Sequence, residues 1–365
     1  MTESNFGDFS GETAQNKQAP WNVERFLEQD RIRVIHFGIG AIGARAVKAC
    51  LTNPEIEIVG AIDAHPAKTG RDLGEVTGIG HSLGIPVQYD AETLLKNVYA
   101  DVIVHSTGSS LTEIYPQLMS IISAEKNIVS TCEELSFPWS RYPDIALKID
   151  RRAREAGVRV LGTGVNPGFV MDTLPLVMLN AVHTLRAIRV ERVVDLRSRR
   201  IQLQRKAGVG LSAAGFKQGV ADGAIGHVGL RESLNMIADT LFWRLEDVTE
   251  TIEPVLARGR VKTEVFSIDK GYAIGLRQSV RGTSNGQEVL RLDLEMSIGA
   301  SDPHDSIQID GDPPLRLNIP GGIQGDDATA AIVANCVPAI ARSRLTGLLT
   351  MRDLPMLPYY RRRQD

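Results

Sequence analysis

Cysteine is scarce in this chain, and its placement excludes two structural classes. Cys50, Cys132 and Cys336 lie far apart with no Cys-x-x-Cys spacing, so neither a disulfide framework nor a structural zinc site is expected. An excess of one charge is missing too. The 41 Lys and Arg stand against 44 Asp and Glu, and the net charge of −3 offers no bulk attraction to nucleic acid or an anionic membrane. No stretch reaches the roughly 18 uncharged apolar residues that span a bilayer. Residues 1–29 lack the basic start and apolar run of a secretion signal and read as a loosely ordered arm. There are no internal repeats and no low-complexity segments. A cytoplasmic protein with a small-molecule partner and no metal is expected.

What is present is enough apolar material for a sizeable core: 43% hydrophobic and 23% charged residues over 365 positions fit a globular chain of about two domains. From Arg31, short β-branched runs at 32–37, 56–62, 101–105, 127–131 and 158–161 alternate with helix-like segments at 45–51, 91–97, 111–124 and 143–156. Strands separated by helices predict right-handed crossovers and a doubly wound parallel sheet. Ser110 and Glu113 have the spacing of a capping box at the start of the 111–124 helix. After Gly162 the texture changes. Leu290, Leu292, Leu294, Met296 and Ile298 alternate with Arg291, Asp293, Glu295 and Ser297, the pattern of a strand with one solvated face. Weaker alternation at 188–195, 261–268 and 272–280 extends this to a mostly antiparallel second sheet, with helices at 172–181 and 231–243. Near the end, Asp326 and Asp327 precede an alanine-rich run, 328–341, that reads as a helix packing back on the first domain.

Gly38-Ile39-Gly40-Ala41-Ile42-Gly43 directly follows the first strand and opens a helix, the context that gives a Gly-x-Gly-x-x-Gly match its meaning. Gly38 would make the tight turn, Gly40 would let a pyrophosphate approach, and Gly43 would let helix and strand pack closely. Asp63 ends the second strand, 20 residues after Gly43, where a carboxylate can meet ribose hydroxyls. That favours NAD. His65, Lys68 and Arg71 lie just beyond and could meet a 2′-phosphate, so NADP stays open. The expected organisation is an arm (1–29), a dinucleotide-binding domain (30–165), a substrate and dimerisation domain (166–324) and a returning helix with a tail (325–365).

Residues just past each strand deserve most weight in such a sheet, because ligands lie beyond the strands' carboxyl ends. Ser106, Thr107 and Gly108 follow the third main strand and could border the nicotinamide; an ordinary Ser-rich helix start explains them equally well. Glu133 and Glu134 follow the next strand, and one of them, with a lean to Glu133, is the candidate acid or base, solvated loop acids being the alternative. Cys132 is either a thiol nucleophile or a small buried side chain. In 162–169, Asn166 can offer donor and acceptor at the cleft, while Phe169 and Met171 could form an apolar substrate wall beside Trp139 and Asp195. The arginines after Asp195 (197, 199, 200 and 205) read as a solvated face or subunit contact, and His227 as a weaker catalytic candidate.

Four blocks carry a resemblance: 105–110 (HSTGSS), 130–136 (STCEELS) with Pro138-Trp139, 162–168 (GTGVNPG) and 190–194 (VERVV). Through them the chain resembles the 2,4-diaminopentanoate dehydrogenase family and the related native NAD(P)-dependent amine dehydrogenases, within the dihydrodipicolinate reductase-like fold. The resemblance implies reversible oxidative deamination of an amine to a ketone or aldehyde plus ammonia, a glutamate of the 133–134 pair handling the amine proton, and a homodimer. The paired histidines of dihydrodipicolinate reductases proper are absent from the sequence. A small alkyl or cycloalkyl amine is the first expectation for substrate, with a diamino acid, or a non-catalytic dinucleotide-binding regulator, as alternatives.

Overall fold

The computed structural model describes residues 31–355; the expected arm and the last part of the expected tail lie outside the described residues. Apolar β-branched runs become strands wherever both faces can be covered. The chain runs β1 (Ile32–Phe37), α1 (Ala41–Leu51), β2 (Ile56–Ile62), α2 (Leu73–Thr77), β3 (Val87–Gln88), α3 (Ala91–Asn97), β4 (Val102–His105), α4 (Leu111–Ser123), β5 (Asn127–Ser130), α5 (Pro143–Glu155) and β6 (Arg159–Gly162). These strands are all parallel, in the order β6-β5-β4-β1-β2-β3. The winding reverses between β1 and β4, and a ligand crevice belongs at that switch point.

The second half contributes α6 (Thr173–Met178), β7 (Thr184–Asp195), α7 (Ile201–Lys206), α8 (Ala213–Ala221), α9 (Leu230–Thr240), β8 (Asp247–Leu256), β9 (Val261–Lys262), β10 (Ser267–Ile268), β11 (Ala273–Ser284), β12 (Gln287–Ser297), β13 (His304–Asp312) and β14 (Leu315–Pro320). Six of these strands form one sheet, β14-β13-β7-β12-β11-β8, in which only the β7–β12 pairing is parallel. The alternation expected at 290–298 holds as far as Met296: Leu290, Leu292, Leu294 and Met296 are buried and Arg291, Asp293 and Glu295 partly exposed, but Ser297, expected on the solvated side, is buried with Ile298 at the strand end. Over them lies α9, whose Leu230, Leu234 and Ile237 recur at the i, i+4, i+7 spacing of one helical face. Each such side chain contributes about 2 kcal/mol by leaving water.

The chain then returns. α10 (Gly325–Arg342) packs Val333, Cys336, Val337 and Ile340 against Ala46, Val47 and Cys50 of α1. β15 (Gly347–Leu349) adds a seventh strand beside β6. All three cysteines are buried free thiols, and among the described residues no helix is long and apolar enough to cross a membrane.

Two local expectations need correction. The run 261–268 is not one strand but the hairpin of β9 and β10, whose partners are each other. Ser110 caps nothing: its side chain makes no cap bond, its Oγ lies 3.0 Å from Thr112 Oγ1, and the Leu111 N–H goes to Glu134 Oε2 at 2.7 Å instead. A charged carboxylate at a helix N-terminus outcompetes a hydroxyl there.

Candidate active site

The turn after β1 is shaped by three glycines with three different steric jobs. Gly38 has φ +93°, and a Cβ on it would lie 2.6 Å from the Ser106 carbonyl oxygen. A Cβ on Gly43 would lie 1.9 Å from the Gly38 oxygen. Around Gly40, by contrast, a Cβ would meet nothing within 4 Å. The loops after β1 and β4 are therefore locked together, with Ser106 Oγ donating to the Gly38 carbonyl at 2.7 Å. Between them the backbone at Gly40, at the start of α1, is left bare for an anion.

Asp63 closes one end of this cradle. Its Oδ2 accepts from the Ile39 N–H and from Lys68 Nζ, each at 2.8 Å, and its Oδ1 accepts from the His65 N–H at 2.8 Å. Burial works against the charged form, but the bonds from Lys68, His65 and Ile39 outweigh it and hold the carboxyl below its ordinary range. Arg71 turns to Glu75 at 2.6 Å.

Beyond β5 the chain makes a 3-10 turn over Glu133–Leu135, and the turn separates the two glutamates. Glu133 lines a pocket of about 480 Å³ with Gly40, Ser106, Thr107, Gly108 and Asn166. Burial pushes its carboxyl upward, against the opposing pull of a Ser109 hydrogen bond and of the Lys206 charge. Glu134 is buried on the other side, where its oxygens accept from Leu111 N–H and from Tyr142 OH at 2.9 Å and pair with Arg141 at 3.1 Å. One carboxylate faces the cleft; its neighbour holds α4 in place.

The opposite wall comes from the second half. His227 Nε2 lies 2.9 Å from Asn166 Nδ2, and burial lowers the imidazole to about 4, so the ring is neutral near pH 7 and accepts from the amide. Asn166 Oδ1 and Thr163 Oγ1 are buried without hydrogen-bond partners. Val194, Leu294 and Met296 supply apolar lining, and Arg192, Arg199, Arg200 and Lys206 supply positive charge. Arg199 and Arg200 are turned inward by Asp326, at 2.8 and 2.9 Å. Arg192 is buried against Asp305 at 2.8 Å. Lys206 makes no side-chain hydrogen bond or ion pair among the described residues.

A family model for the 2,4-diaminopentanoate dehydrogenase C-terminal domain matches residues 169–360, and one for the dihydrodipicolinate reductase N-terminus matches residues 32–132. A 2,4-diaminopentanoate dehydrogenase from Acetoanaerobium sticklandii is 30% identical over 344 residues, spanning 90% of this chain and 94% of that protein. The chain belongs to the 2,4-diaminopentanoate dehydrogenase family. Among solved structures, an amine dehydrogenase from Mycobacterium smegmatis superposes with a TM-score of 0.80 at 24% identity, covering 90% of this chain and 97% of that one. A biliverdin reductase from Synechocystis sp. PCC 6803, solved with biliverdin and NADP+, shares the fold at a TM-score of 0.54 and 12% identity, covering 88% and 94%.

In this family member Asp63 is joined to the glycine loop through the Ile39 N–H, and Gly40, Ala41, Ile42, Ser106, Thr107, Gly108, Glu133 and Asn166 line one pocket. Four expected wall residues do not. Trp139 packs on the core beneath α4 and α5, Phe169 and Met171 are absorbed by the core of the second half, and Asp195 is spent on the Arg197 and Gly299 N–H groups at 3.0 and 2.9 Å. The Asn-Pro-Gly turn aims Phe169 and Met171 away from the cleft, and of that stretch Thr163, Gly164, Val165, Asn166 and Pro167 border it. Cys132 is buried with its thiol pushed far up by that burial and its Sγ on the Ser109 carbonyl at 3.1 Å, which makes it inert. The arginines after Asp195 divide: Arg197 and Arg205 are exposed, in keeping with a solvated face, whereas Arg199 and Arg200 reach the pocket. Lys206 joins them at the end of α7, in a stretch that carries no motif to mark it. The alternation of β12 already placed Leu294 and Met296 on the covered face.

Proposed function

We propose that this protein catalyses reversible, NAD(P)-dependent oxidative deamination of a primary amine whose substrate also carries a carboxylate, as a diamino acid does. The observation that carries the reading is Glu133, a carboxyl with a raised pKa facing a cleft whose far wall is cationic. The residues fit a dinucleotide on their own terms: Gly40 presents bare backbone at a helix start, and the Asn166 Oδ1 acceptor is buried and unmet. Gly38–Gly43 would hold the pyrophosphate, Asp63 the adenosine ribose, and Ser106, Thr107, Gly108 and Asn166 the nicotinamide end. When bound, the nicotinamide accepts the hydride from the carbon bearing nitrogen.

Glu133 takes the proton of the substrate ammonium, which frees the lone pair that expels hydride and leaves an iminium. Once that proton has passed to solvent, Glu133 takes a proton from the water that attacks the iminium carbon, returns it to nitrogen, and accepts the hydroxyl proton as ammonia departs with the carbonyl product. Arg199, Arg200 and Lys206 orient the carboxylate. Neutral His227 fixes the Asn166 amide without adding charge beside the iminium. The apolar Val194, Leu294 and Met296 fit a short alkyl segment, which keeps a simple amine as the second reading.

NAD is the favoured cofactor because Asp63, at the end of β2, would meet the ribose hydroxyls; Lys68, bonded to Asp63, is the group that would meet a 2′-phosphate. We also infer a cytoplasmic homodimer joined through the solvated face of the six-stranded sheet, for which a monomeric mass by light scattering would be decisive against. The test of function is oxidation of NADH and NADPH with excess ammonium against a panel of ketones, aldehydes and 2-amino-4-oxopentanoate. Turnover is expected, fastest on the amino-oxo acid. Cofactor binding without any turnover across the panel would favour a regulator instead.

A further inference from the structure

A second cavity, of about 610 Å³, shares Gly226, His227 and Val228 with the pocket just described, so a single strip of chain divides the two. Its polar wall is Glu232 and Arg231 from α9, Glu250 from β8, Gln278 from β11 and Arg141 from the segment before α5. Glu250 is satisfied, by Arg231 at 3.4 Å and by Gln278 Nε2 at 2.8 Å. Arg141 is committed to Glu134 at 3.1 Å and reaches Glu232 only at 3.8 Å. Three carboxylates, Glu134, Glu232 and Glu250, thus share two cations, Arg141 and Arg231. His227, on the dividing strip, is neutral. Glu232 is the one left over: its side chain is 2% exposed and its Oε1 accepts no hydrogen bond.

A buried carboxylate with an unmet acceptor asks for a small cation bearing donors. Among the described residues no group of His, Cys, Asp and Glu is arranged to hold a metal ion. An ammonium ion supplies one positive charge and four N–H donors. We propose that this cavity is an antechamber that binds ammonium on Glu232, next to the cleft where nitrogen joins or leaves the substrate. The role in turnover rests on the amine dehydrogenase reading; the binding does not. In the aminating direction ammonium gives its proton to the Glu232 carboxylate, and neutral ammonia passes His227 to the cleft; deamination runs the same exchange backwards. Burial, the largest influence, and the charges of Glu134 and Glu250 bring the Glu232 carboxyl up to about 7 against the pull of Arg141, within reach of that exchange.

The experiment is thermal melting of the whole protein in ammonium chloride against sodium chloride at equal ionic strength, on wild type, Glu133→Gln and Glu232→Gln. A saturable ammonium-specific rise in Tm is expected for wild type and for Glu133→Gln and is expected to vanish in Glu232→Gln. In amination assays Glu232→Gln should raise the KM for ammonium about tenfold or more with the KM for the carbonyl substrate unchanged. Circular dichroism checks that the variant folds; if it does not, Glu232→Asp, which keeps the charge but draws it back by one methylene, takes its place, with a smaller rise in Tm and a higher KM for ammonium expected. No rise in wild type, or an equal rise in Glu232→Gln, overturns the antechamber even if turnover is seen. A rise confined to chains with Glu232 supports it even if the panel of carbonyls shows no turnover, in which case only the proposed reaction falls.

Discussion

Glu232→Gln is also a sharp test of the electrostatics of the whole molecule, because glutamine copies the protonated side chain. Glu232 is 2% exposed and its carboxyl is raised from 4.5 to about 7, by burial first and by Glu134 and Glu250 besides. A carboxyl whose pKa rises on folding is bound more tightly as the acid in the native state. The stability it gives is complete below pH 4.5 and is lost as pH climbs through 7. Two and a half pH units correspond to about 3 kcal/mol. For a chain of this size that is roughly 5 °C in Tm. Wild type and Glu232→Gln should therefore melt together at pH 4, and the variant should melt higher by about 5 °C at pH 8.5. Melting in ammonium-free buffer, followed by scanning fluorimetry across that range, reads the difference. A gap that is flat with pH, or that favours wild type at pH 8.5, would refute the claim that Glu232 carries an uncompensated charge.

Three further outcomes follow from the site. Gly43→Ala places a methyl 1.9 Å from the Gly38 oxygen and should lose both fold stability and dinucleotide binding, whereas Gly40→Ala meets no protein atom and should keep its Tm while weakening NADH about tenfold or more in fluorescence titration; equal Tm losses would contradict that division of labour. Glu133→Gln should cut kcat by 10²–10⁴ with NADH affinity intact, while Glu134→Gln should lower Tm through the loss of the α4 cap and spare the chemistry; the opposite pattern in steady-state kinetics would exchange their roles. His36 is fully buried on β1 with neither ring nitrogen bonded and its pKa lowered by burial to about 3. His36→Leu should raise stability by about 1–2 kcal/mol, and a fall in Tm would point to a partner that the imidazole depends on.

How much of this was legible in the residues depends on the range of the forces involved. The glycine loop was readable because its spacing and its place between β1 and α1 are local, even though Gly38 and Gly43 are also required by Ser106, on the loop after β4. β12 was readable because two-residue alternation is a local record of which face is covered. The side of the chain on which Glu133 sits was not fixed by alternation, since the backbone there is a 3-10 turn and not a strand. Ser110 had the right neighbour for a capping box, yet Glu134, 23 residues later, takes the Leu111 N–H. Arg199 and Arg200 face inward only because Asp326 lies across the cleft, more than a hundred residues away in sequence. β13 and β14 carry weaker local signals: β13 owes its place to β7, and β14 to β13.

The late return of the chain has a consequence for how the protein must be made. The parallel sheet is started by β1 and β2 and cannot be closed until Gly347–Leu349 arrive beside β6, after the entire second sheet has been synthesised. Until α10 emerges, Ala46, Val47 and Cys50 have no cover on that side of the sheet, and the edge of β6 is an open template for pairing with other chains. A nascent chain therefore carries a sticky, half-built nucleotide fold through most of its translation, and a fragment ending at residue 165 would remain in that condition. The two halves cannot be dissected by cutting once between them; only a cut that keeps the last forty or so residues with the first half respects the way the fold is closed.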